Sequence, residues 1–162
     1  MSMKFNALEI IEMAKKIERN GAAFYKLASE KVINPEAKQL LNDLASMEQV
    51  HEMVFEDLKN YLPDDQAWTK HEVDTDGQLF SYLESMADNI IYDLKNDKME
   101  EHIKSIEAIF KYAIEKEKQS VLYYLGIKEL VPEALGKDKI SEIIKEEMKH
   151  VAILSDAKKK YL

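Results

Sequence analysis

Residues 143–154 read IIKEEMKHVAIL and residues 40–55 read LLNDLASMEQVHEMVF. Each is an apolar helix face interrupted by a carboxylate and an imidazole. Ile143, Ile144, Val151 and Leu154 surround Glu147 and His150, while Leu41, Leu44, Phe55 and, just beyond, Leu58 surround Glu48 and His51. Side chains three or four residues apart share a helix face. In each Glu-x-x-His both polar groups therefore point where the apolar residues point, toward the core that the pattern marks. A buried carboxylate with no partner is costly, and it takes up a proton if nothing else neutralises it. What these groups meet inside the protein decides the reading of the chain.

An internal repeat supplies their companions. Glu18 opens ERNGAAFY and Glu117 opens EKQSVLYY, each followed at the same distance by an aromatic pair, Phe24-Tyr25 and Tyr123-Tyr124. Glu48 lies 30 residues after Glu18, and Glu147 lies 30 after Glu117. A single offset of 99 maps Glu18, Phe24, Tyr25, Glu48 and His51 onto Glu117, Tyr123, Tyr124, Glu147 and His150. One Glu-x-x-His in so acidic a chain says little. Two in register with an upstream Glu and an aromatic pair, using two of only four histidines, say much more. Glu18 and Glu117 also interrupt apolar stripes: Ile11, Ala14, Gly21, Tyr25 and Ala28 on one helix, Ile106, Phe110, Ala113, Ser120 and Tyr124 on the other.

The rest of the chain favours helix. Its 162 residues are 46% hydrophobic and 33% charged, with four Gly and three Pro, a composition suited to one helical domain with a sizeable core. Helical periodicity predicts long helices over about 7–32, 35–61, 102–131 and 138–159, and a short one over 78–93. Asn6 with Glu9 forms a capping-box pattern at the first start. Asn34-Pro35 ends one helix and caps the next, Pro63 and Pro132 close others, and the Asp-rich stretch after Tyr61 reads as a loop. The expected architecture is all-α: hairpin 1 over about 6–61, a crossover over about 62–101 holding the short helix, and hairpin 2 over about 102–160. This is a four-helix bundle with one long crossover.

The net charge of −8 argues against nucleic acid or an anionic membrane as the main partner, and the terminal KKKYL reads as a solvated helix end. No apolar run reaches the roughly 20 residues that span a bilayer, and the first ten residues lack a secretory apolar region, so the expected location is cytoplasmic. The absence of cysteine removes disulfides, thiol catalysis and cysteine-held metal clusters.

Four carboxylates and two imidazoles converging in a core, with no Lys or Arg on the same stripes at matching depth, call for cations. Two divalent ions would balance four ionised glutamates, and each would take one neutral imidazole. Glu from two helices with Glu-x-x-His from the other two is the donor set of di-iron and di-manganese bundles. Oxygen and imidazole donors without thiolate fit iron, with manganese as the alternative, better than copper or zinc. Symmetry suggests that Glu48 and Glu147 bridge the two ions, with Glu18 and His51 completing one shell and Glu117 and His150 the other.

The residues ERNGAAFY, MEQVH, EKQSVLYY and EEMKH resemble the ligand helices of the rubrerythrin-like branch of the ferritin-like superfamily. The resemblance covers most of the chain and is weakest over about 61–101. It implies a ferritin-like four-helix bundle, two iron ions, an oxidoreductase that reduces hydrogen peroxide or dioxygen, and a homodimer. Two features differ from the family pattern. Rubrerythrins carry a rubredoxin domain with cysteine pairs, and here electrons would come from a separate, rubredoxin-type donor. Rubrerythrins also carry an extra Glu one turn after the third-helix ligand, where this chain has Ser120. Two other functions compete: ferrous iron oxidation and storage of ferritin type, which needs a many-subunit shell, and a metal-binding module without turnover.

Other residues are read more plainly. Glu115 rivals Glu117, but the 30-residue spacing favours Glu117. Tyr25 and Tyr124 are core aromatics with a second use as hydrogen-bond partners of the ligands. Glu30 and Glu129 obey the offset but lie off the ligand face. His71 and His102 are expected in solvent, Met13, Met47, Met86 and Met148 in helix packing, and Trp68 as an anchor of the crossover.

Overall fold

The computed structural model describes residues 7–61, 74, 76–90 and 98–162. Among them are six α-helices and no strand: α1 Ala7–Lys31, α2 Pro35–Asn60, α3 Gln78–Ile90, α4 Met99–His102, α5 Ile106–Leu130 and α6 Lys137–Tyr161, with a 3-10 turn at Glu133–Leu135. The expected Asn6 cap, Trp68, His71 and the end of the short helix at Asp93 lie outside the described residues. None of the helices is long and apolar enough to cross a membrane.

Local chemistry sets the boundaries. Asn34 caps α2 as its position before Pro35 predicts, its side chain accepting from the backbone N–H of Glu36 at 2.9 Å and of Ala37 at 3.0 Å. The buried Asp74 does the same for α3 from a greater distance in sequence, accepting from the N–H of Leu79 (3.2 Å) and Phe80 (3.0 Å). The third long helix does not begin at His102. The chain breaks after α4, and Ser105, in extended backbone, accepts from the Ala108 N–H at 3.1 Å and starts α5 afresh. A hydroxyl at the N-cap satisfies a donor that a continuous helix would otherwise have to bond itself.

α1 pairs with α2, and α5 with α6; α3 lies against α5, and the hairpins meet through α1 with α5 and α2 with α6. Cross-hairpin bonds give the directions. Tyr25 bonds Glu117 while Glu18 bonds Tyr124, so ascending α1 descends α5. His51 faces Glu147 while Glu48 faces His150, so α2 and α6 also run antiparallel. α2 and α5 must then be parallel, and the chain between them has to return along the whole bundle, about 37 Å for a helix of α2's length. This is the four-helix bundle with a long crossover that the two short hairpin connections implied.

The apolar core is split in two. One cluster gathers Ile10, Ile11, Ile17, Phe55, Leu58, Leu83, Tyr124, Ile127, Leu130, Ile140 and Ile144 at one end. The other gathers Phe24, Tyr25, Ala28, Leu41, Leu44, Ile109, Phe110 and Leu154 at the opposite end. Between them lies a layer of buried polar residues. Two expectations about surface and core fail. Met47 and Met148 do not pack: they are 43% and 50% exposed, because each adjoins a ligand-face Glu and is turned about 100° away from it. His102 is not free in solvent. It is partly buried, its ring stacked on Tyr112 with centroids 4.0 Å apart.

Candidate metal centre

Glu18, Glu48, His51, Glu117, Glu147 and His150 are all buried, with at most 3% exposure, and all six enter the middle layer. α1 contributes Glu18, α2 Glu48 and His51, α5 Glu117, and α6 Glu147 and His150. Glu115, the rival of Glu117, is exposed and bonded by Gln119, and Glu30 and Glu129 are exposed as their position off the ligand face requires.

The six donors form two overlapping sets. Glu18, Glu48, His51 and Glu147 bring one ligand atom each within 4.8 Å of one another, and so do Glu48, Glu117, Glu147 and His150. Glu48 and Glu147 belong to both. His51 and His150 lie 5.6 Å apart between ring centroids, nearly parallel. His51 Nδ1 is 2.6 Å from Glu147 Oε1 and 3.4 Å from Glu18 Oε2. His150 Nδ1 is 3.1 Å from Glu48 Oε1 and 3.6 Å from Glu117 Oε2.

None of these short contacts has the geometry of a hydrogen bond. Glu18 Oε2, Glu48 Oε1, both oxygens of Glu147 and the Nδ1 atoms of His51 and His150 are buried and have no hydrogen-bond partner. Native interiors leave only a few such orphans, and here six meet in one layer. Their lone pairs crowd a common space instead of engaging one another, as atoms do around a cation. No Lys or Arg among the described residues pairs with them. Lys15, one turn before Glu18 and itself buried, turns its ammonium to Glu12 and Glu56, and Arg19 pairs with Glu52 at 2.7 Å. The donor set of four carboxylates and two imidazoles thus fits two divalent ions in charge, type and placement.

The electrostatics agree. Burial pushes Glu48 and Glu147 far above the usual carboxylate range, and the surrounding carboxylates, Glu117 and Glu18 among them, push further in the same direction. Burial also raises Glu117, but Glu147, His150 and Tyr25 beside it outweigh that and leave it lowered. Burial lowers His51, yet Glu18 and Glu146 more than reverse the effect and leave it raised. Without cations the layer is a set of acids competing for protons.

Two further shells surround the six. Tyr25 donates its hydroxyl to Glu117 Oε1 and Tyr124 donates to Glu18 Oε1, so each hairpin's tyrosine holds the other hairpin's glutamate. The repeat predicts that the two tyrosines are equivalent; the crossing to the opposite hairpin follows only from the antiparallel directions. Glu146 was not foreseen. Its Oε2 lies 2.6 Å from His51 Nε2, the ring nitrogen that faces away from the layer. Its only sequence signal is that it directly precedes Glu147, about 100° round the helix and 51% exposed in its side chain, a position that reads as surface.

Comparison with known proteins supports the same assignment. The family model described as rubrerythrin matches residues 9–129, three quarters of the chain. That span includes Glu18, Glu48, His51 and Glu117; Glu147 and His150 on α6 lie beyond it and are tied to it by the internal repeat. No curated protein matches the chain. A crystal structure from Thermotoga maritima, described as a ferritin-like diiron-carboxylate protein, superposes with a TM-score of 0.68 over 96% of this chain and 95% of that one, at 21% identity, which fixes the ferritin-like fold. With the bundle, its buried Glu/His layer and the family match together, the chain belongs to the rubrerythrin family.

Proposed function

We propose that the protein is a di-iron oxidoreductase that reduces hydrogen peroxide, or dioxygen, with electrons from a separate donor. The observation that carries this reading is the layer of orphaned donors: two four-atom sets sharing Glu48 and Glu147. Glu18, Glu48, His51 and Glu147 would hold one ion and Glu48, Glu117, Glu147 and His150 the other, with Glu48 and Glu147 common to both sets. Manganese is the alternative metal, since it accepts the same donors. Two bound ferrous ions supply the two electrons that, with two protons, convert one peroxide into two waters.

The chain's own residues do the rest. The four carboxylates cancel the ions' charge and so favour the more oxidised state. The His51 and His150 rings aim Nδ1 into the layer, and that nitrogen would have to be unprotonated to hold an ion. The Tyr25 and Tyr124 hydroxyls fix the carboxylates of Glu117 and Glu18 from behind, so that one oxygen of each is left for metal. The apolar clusters on both sides keep bulk water out and strengthen every charge interaction in the layer. Ser120 stands where rubrerythrins carry an additional Glu and offers no carboxylate; its hydroxyl is turned back to the Lys116 carbonyl at 3.1 Å. The ligand set would then be six residues, with no seventh carboxylate supplied at that position. A homodimer and a rubredoxin-type donor complete the reading.

The test is anaerobic loading with ferrous iron, followed by about two equivalents of peroxide. Two irons per chain and a rapid rise of ferric charge-transfer absorption, reversed by a reductant, are expected. Iron that binds stoichiometrically and ignores peroxide would remove the redox assignment. A particle of many subunits on size-exclusion chromatography would favour iron storage instead.

A further inference from the structure

His51 and His150 hold equivalent places in the repeat, and each aims Nδ1 into the layer. Nδ1 can present a lone pair to a metal only when the ring proton resides on Nε2. At His51 that proton has an acceptor: Glu146 Oε2, 2.6 Å from Nε2. The bond fixes both the tautomer and the ring plane, and a carboxylate there makes the imidazole a stronger donor to metal. At His150 no corresponding acceptor is found among the described residues. The offset of 99 that relates the two hairpins places Met47 where Glu146 stands. A thioether is a weak acceptor, and no hydrogen bond among the described residues engages His150 Nε2. The six ligands and the two tyrosines obey the repeat, while the groups behind the two imidazoles do not.

We propose that Glu146 is a positioning residue that makes the two metal positions unequal, so that the position built on Glu18 and His51 binds its divalent cation more tightly and fills first, ahead of the one built on Glu117 and His150. This rests on the di-metal reading above. Outer partners of metal-bound histidines are generally worth 10–100-fold in metal affinity, enough to separate the two fillings by one to two decades.

The experiment is an anaerobic titration of the metal-free protein with cobalt(II), a redox-inert probe at these donors, followed by calorimetry and by ligand-field absorption. The wild type should take two ions in two steps. Two steps alone do not decide, because a first cation in a shared cluster repels a second. The variants decide. Glu146→Ala should weaken the first step 10–100-fold and leave the second within about twofold. Glu146→Gln keeps an acceptor for Nε2–H without the charge and should restore most of the lost affinity. Met47→Glu should strengthen the second step and leave the first in place. Both substituted side chains are about half exposed, so the variants are expected to fold, and circular dichroism checks it. If Glu146→Ala changes neither step, or weakens both equally, the inequality is refuted while the di-metal centre stands. If Glu146→Gln weakens both steps as much as Glu146→Ala does, a general charge effect replaces positioning. If the wild type takes fewer than two ions, the di-metal reading itself fails and takes this inference with it.

Discussion

The two hairpins, residues 7–60 and 106–161, are built to one plan at the ligands and to two plans elsewhere. Glu18, Tyr25, Glu48 and His51 have counterparts at the same spacing in Glu117, Tyr124, Glu147 and His150, and the structure buries both members of each pair to the same extent. Away from that layer the halves part. Glu146 stands opposite Met47 in the repeat, and Tyr123 opposite Phe24. α1 passes to α2 through Asn34 and Pro35, whereas α5 passes to α6 through a 3-10 turn and Gly136. Metal ligation fixes side chains to within a fraction of an ångström, so the layer tolerates no divergence. The joints and outer partners only have to keep the hairpins closed.

The strongest way to break the symmetry is to remove one ligand at a time. Glu48 and Glu147 belong to both donor sets, so Glu48→Ala and Glu147→Ala should each abolish binding of both ions at micromolar metal. Glu18→Ala and Glu117→Ala strip one set only and should leave about one ion per chain. Metal analysis after desalting separates the outcomes. Equal losses from all four variants would mean that no carboxylate is shared.

pH tests the layer as a whole. In the metal-free protein Glu48 and Glu147 are raised by burial and by their carboxylate neighbours. The folded state thus keeps protons that the unfolded chain gives up above its ordinary carboxylate range. Their contribution is complete below about pH 4.5 and is lost as pH rises through the raised values. His51, also raised, acts in the same direction. The chelated protein should therefore melt at a lower temperature at pH 8 than at pH 5.5, and divalent metal should reverse the order by taking the carboxylates in ionised form. A chelated protein more stable at pH 8 would show that the layer is neutralised by something other than protons or metal. Smaller effects come next: Tyr25→Phe and Tyr124→Phe each remove one hydroxyl behind one carboxylate and should each lower metal affinity about 10-fold. The two should match, since these partners obey the repeat. A difference larger than a few-fold would extend the inequality of the halves from the imidazoles to the carboxylates.

The pattern of what the sequence reveals follows the same division. The six layer residues are legible because they violate an apolar face, and the violation repeats at a fixed offset. Asn34 and Pro35 are legible because capping is local chemistry. Glu146 is not, since a half-exposed Glu on a helix rich in charged residues looks like any solvated residue and its partner His51 is 95 positions away. Met47 and Met148 mislead for a related reason: hydrophobic residues beside a buried Glu look like core until the helix is turned 100° per residue. The Ser105 cap and the stacking of His102 on Tyr112 depend on where the chain after α4 meets α5, and no periodicity encodes that.

The joints give the smallest and most local contrast. In hairpin 1 the Asn34 side chain bonds two backbone N–H groups of α2. Asn34→Ala should cost about 1 kcal/mol, which is a fall of about 2–4 °C in Tm for a chain of this length. In hairpin 2 the equivalent position is Gly136, with φ at +97° and no side chain to cap α6. Any L side chain there meets the left-handed region, at roughly 1–2 kcal/mol, and its Cβ would lie 2.3 Å from Leu58 Cδ2. Leu58 is buried in the end cluster it shares with Phe55, so it can yield only by repacking that cluster. Gly136→Ala should therefore lower Tm more than Asn34→Ala does, and both should leave the metal stoichiometry at two. Equal melting losses would show that Leu58 moves aside freely, and that the second joint is held by its backbone conformation alone.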